Sequence, residues 1–349
     1  MNNGNKRRGR RRYRVRYDRI AAVLAVFVVM ILLIVSMTQS CSKKKDGKNE
    51  ASKNPITSDF ITNPPETVTD ALGQTVTDAS GNSVTQPAST QPIQADPSQF
   101  VTQSVEYTQV NNGDLVLVNT LYPYKFQEGD TNIVTLYNNR NDYYGTSDNV
   151  ISLDMNTISQ INAMMSDYFA ATGNMDFHVI GGYRDINTQN DKYNNGKSRF
   201  QGGYSDYHTG RSFDVGIFPK GQSSNYYKEE GIYAWLGQNA ANYGFILRYP
   251  QGKEAVTGED GRTYTFRYVG VPHAVYMKAN NLCLEEYIEQ IKQYTTNNPL
   301  QVSGGGHDYQ VYYVAAVPNS ATDVPVPSSA PFSISGNNTD GFIVTVTLS

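Results

Sequence analysis

Residues 205–214 have the sequence Ser-Asp-Tyr-His-Thr-Gly-Arg-Ser-Phe-Asp, and these ten residues decide the fold assignment. They follow a loop rich in Gly, Tyr and Asn and run into an apolar segment at 215–218. A His and an Asp on either side of a Thr-Gly turn, at the entrance to a strand, can hold two metal ligands or an acid–base pair. His208 and Asp214 are therefore the first candidates for a functional site.

The N-terminal end of the chain is strongly basic. Residues 1–19 contain nine Lys or Arg and one Asp, although the whole chain has a net charge of −3. Residues 20–37 carry no charge and are rich in Val, Ile, Leu and Ala, and about 17–25 apolar residues cross a bilayer as a helix. Because the basic residues precede this run, the pattern predicts a cytoplasmic tail at 1–19, a single transmembrane helix at 20–37 and an extracytoplasmic remainder. It argues against nucleic-acid binding by the Arg cluster.

Two other interpretations of this end stay open. A cleaved signal peptide would need a small-residue site after the apolar run, and none is present. Lipid attachment at Cys41 is disfavoured because the preceding Thr-Gln-Ser matches lipoprotein processing poorly. Cys283 is the only other cysteine, so the globular part has no disulfide framework, and Cys283 is predicted to be a small core residue.

The remainder divides into three parts by composition. Residues 38–105 are rich in Ser, Thr, Pro and Asn and poor in large apolar residues, which predicts a disordered stalk. Residues 106–297 carry mixed helical and strand patterns and form the predicted main domain. Residues 298–349 are predicted to be a C-terminal β extension after a hinge at 304–306, either a small appendage or a strand pair docked on the main body.

Within the main domain, apolar residues at helical spacing predict a helix from Asp154 to Ala171 that ends at Gly173. Further helices are expected at 226–243, 274–280 and 284–294, and strands at 114–119, 177–180, 212–218, 245–249 and 264–269. The strands do not alternate regularly with the helices, so the predicted class is α+β.

These segments resemble the VanY-type D-alanyl-D-alanine carboxypeptidases, zinc peptidases that trim peptidoglycan stem peptides. The resemblance covers roughly residues 115–294 and rests on landmarks in order: Gly182-Tyr183-Arg184 with Gln189, Thr209-Gly210 to Phe213-Asp214, Tyr243 to Pro250, and Phe266 to Gly270. It implies a VanY/Hedgehog-type carboxypeptidase domain with a central, mostly antiparallel sheet flanked by helices. It also implies a place outside the membrane, at the cell wall.

The resemblance further implies a zinc site held by two His and one Asp, with a Glu as general base on the zinc-bound water. Only Asp214 stands at its expected position. The two His positions hold Tyr207 and Thr265, and the base position holds Arg262. Tyr and Thr are poor zinc ligands, and Arg stays protonated at neutral pH. We therefore expect a member that has lost its metal, with an Asp214–Arg262 ion pair in the place of zinc.

An active zinc enzyme with displaced ligands is the alternative. A bulge near the Thr-Gly turn would bring His208 into a ligand position beside Asp214, and His273 would supply the second imidazole. The base would then come from Glu259 or Asp260. Whether the chain is an enzyme, and whether zinc is its cofactor, stays open on the sequence.

Four residues are expected to bind substrate by analogy with the family, namely Arg184, Gln189, Ser205 and Tyr207. An arginine binds a peptide carboxylate through two parallel hydrogen bonds, and tyrosine rings suit peptide and sugar faces. Three functions therefore stand side by side. They are a metal-free module that binds peptidoglycan stem peptide or an envelope protein, a zinc carboxypeptidase that releases D-Ala, and a non-catalytic envelope scaffold.

Overall fold

The computed structural model describes residues 66–67, 85–86, 99–126 and 132–348. Every described residue belongs to one compact unit of the chain. The predicted cytoplasmic tail and membrane span at 1–37 lie outside the described residues. Within the described ranges, no helix combines the length and the apolar character that crossing a bilayer requires.

Most strands are short. In chain order they are β1 (Glu66–Thr67), β2 (Thr85–Gln86), β3 (Phe100–Val105), β4 (Ile133–Thr135), β5 (Gly145–Thr146), β6 (Ser152–Asp154), β7 (Phe177–Gly181), β8 (Ser212–Ile217), β9 (Asn225–Tyr226), β10 (Phe245–Leu247), β11 (Thr265–Tyr268), β12 (Leu300–Gly304), β13 (His307–Ala315), β14 (Thr322–Pro327), β15 (Phe332–Gly336) and β16 (Gly341–Thr347).

The α-helices are α1 (Leu136–Asn139), α2 (Met155–Thr172), α3 (Ile186–Asn194), α4 (Ala234–Asn239), α5 (Glu254–Thr257), α6 (Val271–Ala279) and α7 (Leu284–Gln290). Short 3₁₀ helices occupy Tyr107–Asn111, Asp206–Thr209, Gly231–Tyr233, Ala240–Tyr243 and Ile291–Gln293.

The central sheet is built around β8. Its strand order is β10-β11-β8-β7-β5, and β9 also pairs with β8. Every pairing is antiparallel except that of β5 with β7, so the expected mostly antiparallel sheet is confirmed. Phe213 and Val215 on β8 share a core with Ile158 and Ile161 of α2. Because side chains alternate along a strand, Asp214 projects from the opposite face.

Helix α2 confirms the helix predicted from Asp154 to Ala171. Asp154 caps it by accepting hydrogen bonds from the backbone N–H groups of Asn156 and Thr157. Gly173, with φ of 67°, ends it in the left-handed conformation that favours glycine. Cys283 is also confirmed as a core residue, since it is fully buried, and it precedes α7 as the N-cap.

Two expected elements differ from the prediction. The helix expected at 226–243 is broken, because Gly231 adopts φ of 57° and the α-helical part begins only at Ala234. The strand expected at 114–119 does not form, although most of that segment is buried. Carbonyl oxygens of the segment accept hydrogen bonds from the buried side chains of Arg248 and Arg267, so the backbone is satisfied without a neighbouring strand.

The C-terminal part forms a four-stranded sheet on the main body, larger than the docked strand pair that was one of the two expected alternatives. Its order is β12-β13-β16-β15. Val311 and Ile343 of this sheet share a hydrophobic core with Met277 of α6 and Ile288 of α7. The expected hinge at 304–306 is instead the end of β12 and the turn into β13, where Gly305 and the next glycine have positive φ.

The boundary of the expected stalk at 105 is wrong. Residues Phe100–Val105 form β3, which pairs antiparallel with β14 of the C-terminal part. Earlier in the same composition-defined segment, β1 and β2 form a two-residue antiparallel pair. Residues 100–105 escape the compositional prediction because they obtain their hydrogen bonds from a strand more than 200 residues away in sequence.

Candidate functional site

Asp214 lies in the middle of the central sheet, between Thr265 on β11 and Gly181 on β7. Its Oδ1 atom accepts hydrogen bonds from the Tyr207 hydroxyl at 2.6 Å and from the Thr265 hydroxyl at 2.7 Å. Both donors are buried. The residues at the two expected His positions are therefore both tied to one oxygen of the remaining carboxylate. These three residues, with Arg184 and Arg262, are called the Asp214 site below.

The second carboxylate oxygen faces Gly181. A Cβ atom at position 181 would lie 2.9 Å from Asp214 Oδ2, which is closer than real Cβ contacts allow. Glycine therefore makes room for the carboxylate. Within the part of the chain that the structure describes, no hydrogen bond reaches Oδ2, so this oxygen is free to accept one from a ligand.

Tyr207 is held by the short 3₁₀ helix Asp206–Thr209, which ends at Gly210 with φ of 67°. Burial and then the nearby Asp214 charge raise the pKa of Tyr207 well above its ordinary value. The phenol therefore stays protonated. It acts as a hydrogen-bond donor to the carboxylate and not as a phenolate that could bind a metal.

A buried ionic network fixes this 3₁₀ helix against the sheet. Asp206 Oδ1 lies 2.6 Å from Arg267 Nη1 and 3.1 Å from Arg248 Nε, and the three side chains have no exposed surface. Arg248 also forms a two-pronged pair with Glu285, at 2.8 and 3.0 Å. Burial alone would raise the pKa of Asp206, but the charges of Arg267 and Arg248 hold it below its ordinary value.

None of the sequence patterns described above predicted this network. Its signal was available, because Arg248 and Arg267 each interrupt an apolar strand segment, at 245–249 and 264–269. A charged residue inside such a run indicates a buried and paired charge. The identity of the partner, Asp206, was not readable from the sequence.

Arg184, a predicted substrate contact, lies beside Tyr207. Its Cζ atom is 3.7 Å from the centre of the Tyr207 ring, within cation–π range. Its Nη1 donates to Gln189 Oε1 at 3.2 Å, and the Gln189 amide nitrogen donates to Ser198 and to the Phe200 carbonyl. Gln189 is fully buried, so the geometry gives it the task of orienting Arg184 instead of contacting a ligand.

Ser205 and His208 lie on either side of Tyr207 in sequence, and both are buried. The Ser205 hydroxyl has no hydrogen-bond partner among the described residues. His208 Nδ1 donates to the Arg184 carbonyl at 2.6 Å, and its Nε2 accepts from the Gly203 N–H at 2.9 Å. Burial lowers the pKa of His208. Its neutral ring braces the backbone, and neither nitrogen is left for a metal.

His273 lies on α6 and is engaged in the same way. Its Nδ1 lies 2.6 Å from the Tyr287 hydroxyl, and its Nε2 lies 2.9 Å from the Thr345 hydroxyl. Over the described ranges, no group of three or more His, Cys, Asp or Glu side chains is placed to hold a metal ion. The structure thus does not bring Asp214, His208 and His273 together as the displaced-ligand hypothesis requires.

Arg262 corrects another expectation. Its Nη2 pairs with Glu259 Oε2 at 2.8 Å, so the expected Asp214–Arg262 pair does not form. Arg199 also lies near Glu259, at 3.7 Å, and pairs with Asp260. The two alternative bases, Glu259 and Asp260, are therefore both held by arginine side chains. Asp214 is balanced instead by hydroxyl donors.

The residues around Asp214 do not fit zinc. Protein zinc sites use His nitrogen, Cys sulfur and carboxylate oxygen, whereas this set offers one carboxylate and two protonated hydroxyls. Both hydroxyls donate to the same carboxylate oxygen. A metal at this point would have to break both hydrogen bonds and would gain two weak ligands in return.

Comparison with known proteins agrees with this architecture. Residues 150–271 match the family model described as VanY: D-alanyl-D-alanine carboxypeptidase. A D-alanyl-D-alanine carboxypeptidase of Enterococcus faecium is 34% identical over 249 residues, which are 70% of this chain and 78% of that protein. The chain belongs to the VanY family. The matched segment includes all five residues of the Asp214 site.

Two further relatives extend the comparison. The bifunctional D-Ala-D-Ala dipeptidase and carboxypeptidase VanXYC of Enterococcus gallinarum is 35% identical over 96 residues, which are 26% of this chain and 50% of that protein. The crystal structure of the vancomycin-resistance D,D-dipeptidase VanXYg, in complex with a D-Ala-D-Ala phosphinate analog, superposes with a TM-score of 0.62. It is 26% identical in sequence and covers 71% of this chain and 99% of that one.

Proposed function

We propose that this VanY-family protein is a metal-free binding module of the cell wall that holds a peptidoglycan stem peptide at the Asp214 site. The observation that carries the proposal is the hydrogen-bonded set of Tyr207, Asp214 and Thr265 at the family's three zinc-ligand positions. With a cation, Arg262, at the base position, these residues have no group that would activate a water molecule.

Peptide recognition starts from Arg184, which is at neither an expected metal-ligand position nor the expected base position. Arg184 is oriented by buried Gln189 and stacks on Tyr207, which gives a fixed guanidinium suited to a carboxylate. The ligand class is inferred from relatives, since the VanXYg structure holds a D-Ala-D-Ala analog and the Enterococcus faecium protein is named for D-alanyl-D-alanine. An envelope protein with an exposed peptide end is an alternative ligand of the same chemistry.

The test combines three measurements on the purified full chain. We expect far less than one equivalent of zinc by elemental analysis, no release of D-Ala from a stem-peptide mimic, and calorimetric binding of that mimic by the metal-free protein. Arg184→Gln should weaken this binding. One equivalent of zinc, lost on His208→Ala, together with D-Ala release, would establish the active enzyme instead. Absence of both zinc and peptide binding would favour the scaffold.

We also propose that residues 20–37 anchor the protein in the membrane, with the N-terminus in the cytoplasm. The run has the length and charge flanks of a spanning helix. The two cysteines provide a topology test, because Cys283 is fully buried and Cys41 follows the apolar run. A membrane-impermeant maleimide should label intact cells that produce the protein, but not the Cys41→Ser variant. Labelling only after cell lysis would refute the orientation, and a lipid-modified Cys41 would not react under either condition.

A further inference from the structure

Two cations, one in the Asp214 site and one near it, have no carboxylate partner among the described residues. Arg184 and Lys192 form no ion pair with any described residue, although each lies near the site. Lys192, on α3, is close enough that its pKa is lowered by burial and then by the charges of Arg184 and Lys197, against an opposing effect of Asp214. Uncompensated positive charge at a binding site attracts anions.

Arg262, at the expected position of the general base, adds a third cation. Its backbone N–H donates to the Tyr249 carbonyl at 2.7 Å, and its guanidinium carbon lies 5.6 Å from the centre of the Tyr249 ring. Burial opposes its charge, but Tyr207 and then Glu259 raise the pKa of Arg262. Glu259 occupies one nitrogen of the guanidinium, and 25% of the side chain is exposed, so a ligand can reach this residue.

The position of this cation has a chemical consequence. In a metallopeptidase, the water activated by the metal and the base attacks the carbonyl carbon of the cleaved bond, so that carbon lies beside both. After cleavage the same carbon is a free carboxylate. A guanidinium at the base position, without a metal, stabilises a carboxylate at this point, which is where a shortened peptide has its C-terminal carboxylate. An uncleaved peptide has a neutral amide at this point, and its own carboxylate lies one residue further on.

We propose that the Asp214 site recognises the free C-terminal carboxylate of a peptide that has already lost its terminal residue, with Arg184 and Arg262 as the carboxylate-binding groups. The inference rests on the proposed peptide-binding function and adds a preference for product over substrate. A charge-assisted hydrogen bond changes affinity by about 10- to 100-fold when only one ligand can make it. We therefore expect a preference of that size.

Calorimetry with three peptides of one sequence tests the preference in the full chain. The peptides end in D-Ala-D-Ala, in D-Ala and in D-Ala amide. The D-Ala peptide should bind about 10-fold or more tightly than the other two, and Arg262→Gln should abolish this advantage. Arg262→Lys should restore part of it, because the charge is kept while the two-pronged geometry is lost.

Arg199→Gln is the matched control. It removes the same charge and also a contact with Glu259, but Arg199 is 57% exposed and is paired with Asp260, so the preference should be unchanged. Thermal unfolding midpoints would verify that the variants fold. If no peptide binds, the proposed function and the preference both fall. If the D-Ala-D-Ala or amide peptide binds as tightly as the D-Ala peptide, or if Arg262→Gln leaves the preference intact, peptide binding stands and the carboxylate preference is overturned.

Discussion

The buried network beneath Tyr207 gives the sharpest stability prediction. Asp206→Asn keeps the shape of the side chain but removes the charge that lies 2.6 Å from Arg267 and 3.1 Å from Arg248. Arg248 would keep Glu285, whereas Arg267 would keep only backbone carbonyl oxygens as partners. Removing one partner of a fully buried pair costs about 3–5 kcal/mol, a large share of the about 5–15 kcal/mol that stabilises a domain.

Urea unfolding would measure this loss. With an m-value of about 3 kcal/mol/M, the midpoint should fall by about 1–2 M. Arg199→Gln is the comparison, because it breaks an exposed pair and should cost no more than about 1 kcal/mol. A loss for Asp206→Asn within about 1 kcal/mol of wild type would show that the network does not hold the 3₁₀ helix as described.

The stability of the same variant, compared with wild type, should also depend on pH. The folded pKa of Asp206 lies below its ordinary value, so as pH falls the unfolded chain takes up the proton first. The stabilisation is therefore complete above the ordinary Asp pKa of about 3.9 and is lost as pH falls through the folded value. The difference between wild type and Asp206→Asn should be constant near neutral pH and should shrink below about pH 4.

Three further predictions concern the site and the docked sheet. The triple variant Tyr207→His, Thr265→His, Arg262→Glu places the expected ligand and base types around the existing carboxylate. It should bind about one equivalent of zinc by elemental analysis, and we expect far less in wild type. No gain of zinc would mean that the backbone positions do not suit a zinc site. Lys192→Gln should weaken binding of an anionic peptide by a few-fold, and the loss should shrink with added salt; a salt-independent loss would indicate direct contact. Burial lowers the pKa of His273 to about 4. The free energy of unfolding should therefore fall by roughly 3 kcal/mol between pH 6.5 and 4, because the unfolded chain gains the proton first. Urea unfolding of His273→Gln should show a weaker dependence on pH, and an unchanged dependence would refute this assignment.

Local patterns in the sequence determined the main helix and the central strands. Helix α2 followed from apolar spacing and from Gly173, and β8 and β11 followed from short apolar runs. The landmark residues around Asp214 placed the chain in the VanY family. They also led to the expectation that Tyr, Thr and Arg stand at the family's ligand and base positions. These inferences succeed because periodicity and motif spacing depend on neighbours within a few residues along the chain.

Only the tertiary structure decided which charged and polar side chains pair with each other. The expected Asp214–Arg262 pair is replaced by Arg262–Glu259, while Asp214 takes its hydrogen bonds from Tyr207 and Thr265. Several charged side chains lie within reach of each other here, and the one that pairs is set by backbone positions brought together from distant parts of the chain. A sequence specifies which groups are available, but burial and distance decide which of them meet, because the energy of a charge pair depends on both.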